Sequence, residues 1–374
     1  MPAGRRELSV DRPASSARSA GSGSGSGSGT DVLVVSLGAT SGWRTAAAEL
    51  SSAIARAGAR VQTVITGRPP SVRTFALTDL MQAVAAHRAC RRAIATYQPT
   101  AIVYCSITAA LLWPRPGAVW IDSIAAENRP GRHGIWQRPL ERRRLAEASL
   151  VLMMSETSLA PLPGLRPDAV VVPVPVASSA GSGGPATGDG PPARRALARG
   201  GFAAGPRDLT ALTYAADPDK RRLDLVLAAW ARARRGDETL VVAGTDQGAG
   251  YPGVEVVGRL DPAAYRSLLR RTRVFVAAPR REEYGIAPLE ALADGCVLVT
   301  TPSRGPYPAL ALARELDPRL VGDDLAGAIR TALDDPSAGY QERADRLLAP
   351  FRRQAIDEVI GERVLPRLLP GWGT

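Results

Sequence analysis

The chain is poor in residues that bind metals or cross-link. Its 374 residues include two histidines and three cysteines. Cys90, Cys105 and Cys296 are far apart, odd in number and set in apolar surroundings. They suggest neither a disulfide framework nor a zinc spacing, and read as buried small hydrophobes in a reducing cytoplasm. No metal site and no cofactor are expected. No apolar run approaches the ~20 residues a membrane-spanning helix needs. The charges near the N-terminus, such as Arg5, Arg6 and Arg12, precede no apolar stretch, so this end does not read as a secretory signal. Aromatic residues make up 5%. No zinc finger or RNP-like motif is present, so no nucleic-acid partner is expected. Lysine is almost missing: Lys220 stands against 46 arginines.

What is present is apolar, turn-rich and unevenly charged. The composition is 45% hydrophobic, with 37 glycines and 31 prolines, enough for two domains with many turns. Most of the net charge of +11 lies in the first half. Residues 1–178 carry 20 arginines against 11 acids, whereas residues 206–374 carry 24 basic and 24 acidic residues. A basic half suits an anionic substrate or membrane.

Residues 1–29 end in a Gly-Ser repeat and are expected to be disordered. A first domain is expected over residues 30–177. Its strands are read at Asp31–Ser36, Arg60–Ile65, Ala101–Ser106, Ala118–Ile121, Leu150–Met154 and Val170–Val174, with helices at Trp43–Ala57 and Leu80–Tyr97. Residues 178–206 are rich in Gly, Pro, Ala and Ser and read as a linker. The cycle restarts over 207–374. Strands are expected at Leu209–Tyr214, Thr239–Ala243, Val254–Val257, Arg273–Ala277 and Cys296–Thr300. Helices are expected at Leu223–Arg235, Pro262–Arg270 and Ala287–Ala293. The fold class is α/β, with two facing Rossmann-like domains and a ligand cleft at the carboxyl ends of the strands.

The chemistry concentrates in Arg281-Glu-Glu-Tyr-Gly-Ile-Ala-Pro-Leu-Glu290. Glu282 falls in a loop and Glu290 about one turn into a helix. Gly285 permits close approach, and the amides of Tyr284, Gly285, Ile286 and Ala287 would present donors to an anion. Two carboxylates flanking a diphosphate can accept hydrogen bonds from sugar and ribose hydroxyls.

This string resembles the Glu-x7-Glu signature of the family 4 retaining glycosyltransferases of the GT-B fold. The resemblance implies that Glu282 contacts the transferred sugar and Glu290 the ribose. Tyr214-Ala-Ala-Asp-Pro-Asp-Lys-Arg-Arg resembles the family's loop after the first strand of the second domain, which places Lys220 on the donor diphosphate. The family usually has an arginine five residues earlier, where this chain has Ala215. Arg221 or Arg222 is the candidate replacement. Ser36–Gly42 resembles the first glycine loop facing the cleft, with Gly38, Ser41 and Gly42. It is not a Gly-x-Gly-x-x-Gly loop, which argues against a nicotinamide enzyme. Many members carry a histidine at the end of a first-domain strand, where this chain has Asp122. His133 lies in the loop beyond, and His87 reads as a helix-surface residue. The last helices, Tyr340 to Leu369, fit the family habit of crossing back to the first domain.

The resemblance implies glycosyl transfer from a nucleoside-diphosphate sugar, metal-independent and retaining, with Glu282 and Lys220 catalytic. The acceptor is expected on the first domain. There Arg129, Arg132, Arg138, Arg142, Arg143 and Arg144 interleave with Trp136 and Leu140. This reads as an amphipathic stretch suited to peripheral contact with an anionic inner membrane face, or equally as a solvated basic helix. A noncatalytic nucleotide-sugar-binding scaffold and a sugar-nucleotide epimerase of the same fold remain alternatives.

Overall fold

Short β-branched runs, closed by glycines and helix caps, set the frame. The computed structural model describes residues 29–38, 40–67, 74–129, 131–159, 166–176 and 207–373. Residues 1–28 of the expected tail and the whole of the expected linker, 178–206, lie outside the described residues.

The first sheet holds β1 (Val32–Leu37), β2 (Val61–Thr66), β3 (Ala101–Tyr104), β4 (Ala118–Ile121), β5 (Val151–Met153) and β6 (Val170–Val171), in the order β2-β1-β3-β4-β5-β6. The second holds β7 (Leu209–Tyr214), β8 (Leu240–Ala243), β9 (Val254–Gly258), β10 (Thr272–Ala277) and β11 (Val297–Thr300), in the order β11-β10-β7-β8-β9. All neighbouring strands are parallel. Every residue of β1, β4, β8 and β11 is buried. That is why these strands read as continuous apolar runs rather than as alternations. The helices of eight or more residues are α1 (Ser41–Arg56), α2 (Phe75–Tyr97), α3 (Gln137–Glu147), α4 (Leu223–Ala233), α5 (Pro262–Arg271), α6 (Ile286–Ala293), α7 (Pro308–Leu316), α8 (Leu325–Asp334) and α9 (Tyr340–Leu347).

Several boundaries differ from the sequence reading for local reasons. α2 starts at Phe75 because Thr74 caps it, its hydroxyl accepting from the Leu77 N–H. β3 stops at Tyr104 because Ser106 caps the short helix Ile107–Ala110. β6 ends at Val171 because Pro173 and Pro175 have no N–H for the ladder. α4 ends at Ala233, since Arg234 is already extended. The three cysteines are buried and unpaired.

One apolar core joins Val32, Ile54 and Trp120 of the first sheet layer to Leu212, Leu298 and Ile329 of the second. The chain's end belongs to it through Ile356, Ile360 and Val364. There the helix Arg353–Val359 packs on α1, with Arg56 paired to Asp357 at 2.7 Å and Arg353 to Glu49 at 3.4 Å. The carboxyl ends of β1 and β4 carry Gly38 and Asp122, and those of β7 and β10 lead to Lys220 and Glu282.

Candidate active site

Backbone bonds between loops bring the second-domain groups together. Residues 278–285 connect β10 to α6, and the turn Pro218–Arg221 follows β7. The Arg280 N–H bonds to the Lys220 carbonyl at 2.9 Å, and the Glu282 N–H to the Arg304 carbonyl at 3.0 Å. Lys220 and Glu282 therefore meet because the Arg280–Lys220 main-chain bond fastens their two segments together. Glu282 is buried, pairs with Arg221 and lies 3.9 Å from the Lys220 ammonium. Glu283 bonds to Lys220 at 3.2 Å and to Arg281 at 2.9 Å. Burial alone would raise the Glu283 carboxyl, but Lys220 and Arg281 hold it below its ordinary value.

Of the two candidate replacements for an arginine at position 215, only Arg221 faces these carboxylates. Arg222 is left-handed, φ 47°, and its guanidinium donates to the Ala278 carbonyl at 2.7 Å and the Thr301 hydroxyl at 2.6 Å. Ala215 itself is fully buried. Asp217-Pro-Asp219 has Asp-x-Asp spacing, so the sequence does contain that pattern. The Asp217 carboxylate caps its own turn, accepting from the Lys220 N–H at 3.1 Å. Among the described residues, no group of three or more His, Cys, Asp or Glu side chains is placed to hold a metal ion.

Gly285 begins α6 at φ 75° without a side-chain cap. A Cβ there would lie 2.7 Å from the Tyr307 ring, so both backbone and space require glycine. The first amides of α6, at Ile286 and Ala287, point toward this end of the helix. The Tyr284 side chain turns the other way, and its hydroxyl bonds to the main chain of Val174 in the other domain. Any donor contact from Tyr284 would therefore fall to its main chain.

Glu290 lies one turn into α6. Burial pushes its carboxyl up to about 7, with Arg266 opposing and Asp294 adding to the rise. Arg266 on α5 pairs with Asp294 at 2.8 Å, which fixes the two helices face to face. Tyr265, also on α5, packs against Tyr214 with the rings tilted and their centroids 5.4 Å apart, and is close enough for Glu290 to perturb it. Its hydroxyl is buried and has no protein partner among the described residues.

The first domain presents less. Gly38 follows β1, and a Cβ there would collide with the Thr66 carbonyl, so packing alone accounts for it. Gly42 meets open space, and Ser41 opens α1. His133 falls in the 3-10 turn Gly131–Gly134, and its side chain lies outside the described residues. Asp122 reaches the cleft. Burial raises its carboxyl to about 6, Glu283 adds to the rise across the cleft, and Lys220 opposes it. His87 is half-buried rather than a free surface group, bonding through Nδ1 to the Leu112 carbonyl at 2.6 Å.

The basic stretch behind Asp122 is not an amphipathic helix. The inward face of α3 carries Gln137 and Glu141 beside Leu145. Glu141 accepts the Ala125 N–H on both oxygens at 2.8 Å. Arg129 is paired with buried Asp79 at 2.9 Å, and Gln137 donates to the same carboxylate at 3.2 Å. Arg138 donates to the Gly131 carbonyl, and Arg144 to the Leu111 carbonyl while lying over the Trp113 ring. Arg132, Arg142 and Arg143 are exposed, as is Ile135 at 68%. Glu283, Tyr265 and the Asp79–Arg129 pair were missed in the sequence. Glu283 was legible as a third carboxylate inside the motif. The other two needed three-dimensional neighbours.

Residues 206–335 match the family model for glycosyl transferases group 1. No curated protein matches the chain in sequence. Among solved structures, the chain is similar to WaaG, a glycosyltransferase involved in lipopolysaccharide biosynthesis. The identity is 13% and the TM-score 0.60, over 88% of this chain and 99% of that one. It is similar to Anabaena HepE, solved with UDP and glucose, at 13% identity and TM-score 0.60, over 89% and 98%. A sucrose-phosphate synthase of Thermosynechococcus elongatus gives 17% identity and TM-score 0.58, over 89% and 98%. At such identities the likeness is one of fold: the chain has the two-domain GT-B architecture.

Proposed function

We propose that this chain transfers a glycosyl group from a nucleoside-diphosphate sugar to an acceptor, with retention of configuration. The observation that carries the reading is the cluster of Lys220, Arg221, Glu282 and Glu283 beside the uncapped start of α6. Lys220, Arg221 and the amides of Ile286 and Ala287 would hold the diphosphate and take up charge as it leaves. Glu290 would accept hydrogen bonds from the ribose, and Glu282 from the transferred sugar. Asp122 faces them from the first domain, where the acceptor would sit. Retention, with the acceptor attacking on the leaving-group side, rests on the resemblance in the motif. Charge compensation by these cations makes the reaction metal-independent in this reading, so turnover should survive a chelator.

The group 1 match over the second domain supports this assignment. HepE, solved with UDP and glucose, is a structural neighbour of the same fold. One observation favours a second reading, a nucleotide-binding scaffold without turnover: Glu283 already engages Lys220. Peripheral membrane contact at the cytoplasmic face would fall to Arg132, Arg142 and Arg143 beside exposed Ile135. Vesicles containing anionic lipid should pellet the parent, but not a variant with these arginines replaced by glutamine. No described helix is long and apolar enough to cross a membrane.

The testing experiment is a thermal-shift screen with UDP, GDP, ADP and their sugars on the parent and Glu290→Ala. A ligand that binds only the folded state adds about 2.7 kcal/mol at a hundredfold excess over its Kd. Stabilisation by one nucleotide class, lost in Glu290→Ala, is expected. No shift with any nucleotide would overturn the reading.

A further inference from the structure

The chain leaves the first sheet as Val172-Pro-Val-Pro-Val176. Proline has no N–H, so between Val172 and Val176 only Val174 can donate. Val172 donates to the Met153 carbonyl at 2.8 Å, within the first sheet. Val176 donates to the Phe351 carbonyl at 2.9 Å, on the segment that returns from the second domain. Val174 lies between them and is buried. Its N–H donates to the Tyr284 hydroxyl at 2.9 Å, and that hydroxyl donates to the Val174 carbonyl, also at 2.9 Å. One phenol oxygen thus satisfies both main-chain groups of one buried residue.

The consequence lies in the cleft. Asp122 directly follows β4, which pairs with β5, which pairs with β6, whose continuation holds Val174. Asp122 and Val174 therefore ride on one rigid sheet. Tyr284 is adjacent to Glu283 and two residues from Glu282. Its ring is buried, and burial keeps the phenol protonated well above its ordinary range.

We propose that Tyr284 is a positioning residue whose hydroxyl sets the gap between Asp122 on the first domain and Glu282–Glu283 on the second. The effect on turnover rests on the function proposed above; the effect on geometry does not. Asp122 is surrounded by identifiable charges. Glu283 and Lys220 face it from the second domain, Arg129 from its own, and the Ser123 hydroxyl donates to it at 3.3 Å. Untying the phenol lets water in and moves Glu283 away. The Asp122 carboxyl then falls from about 6 toward its ordinary value of 3.8.

The test is Tyr284→Phe, which keeps the ring and removes the hydroxyl. Asp122 is titrated by carboxyl-carbon NMR in parent and variant without substrate, its signal assigned with Asp122→Asn. The expected result is a drop of roughly one pKa unit or more, a tenfold change in proton affinity. An unchanged Asp122 titration in a folded variant overturns the proposal. Should the variant not fold, amide exchange at Val174 in the parent decides. Protection comparable to the β1 amides is expected, and exchange as fast as an exposed loop overturns it. In turnover, Tyr284→Phe should lower kcat with donor KM unchanged, and should add nothing to Asp122→Asn. A parent without turnover would count against the proposed function while leaving the titration result standing.

Discussion

The two domains share a fold but differ in how they use charge. The second is neutral overall, and several of its arginines are matched to acids, as in Arg266–Asp294, Arg319–Asp317 and Arg330–Glu238. Against that balanced background one loop cluster concentrates two carboxylates and three cations, with a helix start beside them. The first domain carries the excess of arginine, yet several of these side chains bond to buried acids or main-chain carbonyls. Its clearest cleft group is an acid, Asp122. Net charge thus misleads about where an anion would bind. The basic half uses many of its cations internally, and the neutral half gathers three of its cations in the loop cluster proposed to hold the diphosphate.

Substitutions in either domain test this difference in the use of charge. The largest effect is expected for Glu282→Ala. Removing the group proposed to contact the transferred sugar should lower kcat by a hundred- to a thousandfold, about 3–4 kcal/mol, read as nucleotide release. An equal loss from a first-domain arginine would erase the contrast. Asp79→Ala should cost about 3 kcal/mol of stability by leaving Arg129 without its carboxylate, measured by urea unfolding. A value near zero would mean that the first domain's arginines are not structurally committed.

Next comes Glu290. Its carboxyl is raised to about 7 in the fold against an ordinary 4.5, so the protonated form is favoured by folding. The stability it lends is full below 4.5 and is lost as pH rises through about 7. Ribose hydroxyls donating to the ionised form should reverse this. Donor binding should release a proton near neutral pH, seen by calorimetry in buffers of different ionisation enthalpy and absent in Glu290→Gln. The smallest effect belongs to the exposed Arg56–Asp357 pair between the domains, where Arg56→Ala should cost about 0.5 kcal/mol in thermal unfolding.

Much of this was legible in the sequence, for a physical reason. Strands buried on both faces leave continuous apolar runs, and the loop between β10 and α6 carries its acids, glycine and helix start in one short string. Legibility ended where backbone geometry chose between neighbours. Arg221 and Arg222 are equivalent as letters, but a left-handed turn at Arg222 sends its side chain behind the site. It ended again where partners are distant in the chain. The basic run Arg129–Arg144 looked solvent- or membrane-facing because Asp79 is 50 residues from Arg129. The same holds for Tyr284, whose partner Val174 is 110 residues away.

In the proposed reaction the donor's diphosphate is held by the second domain alone. Calorimetric titration of the nucleoside diphosphate found by thermal shift, into the parent, Lys220→Ala, Arg221→Ala and Asp122→Asn, tests it most directly. The account predicts at least tenfold weaker binding for each second-domain variant, about 1.4 kcal/mol, and unchanged affinity for Asp122→Asn. Full affinity in Lys220→Ala and Arg221→Ala, or a loss confined to Asp122→Asn, would contradict it.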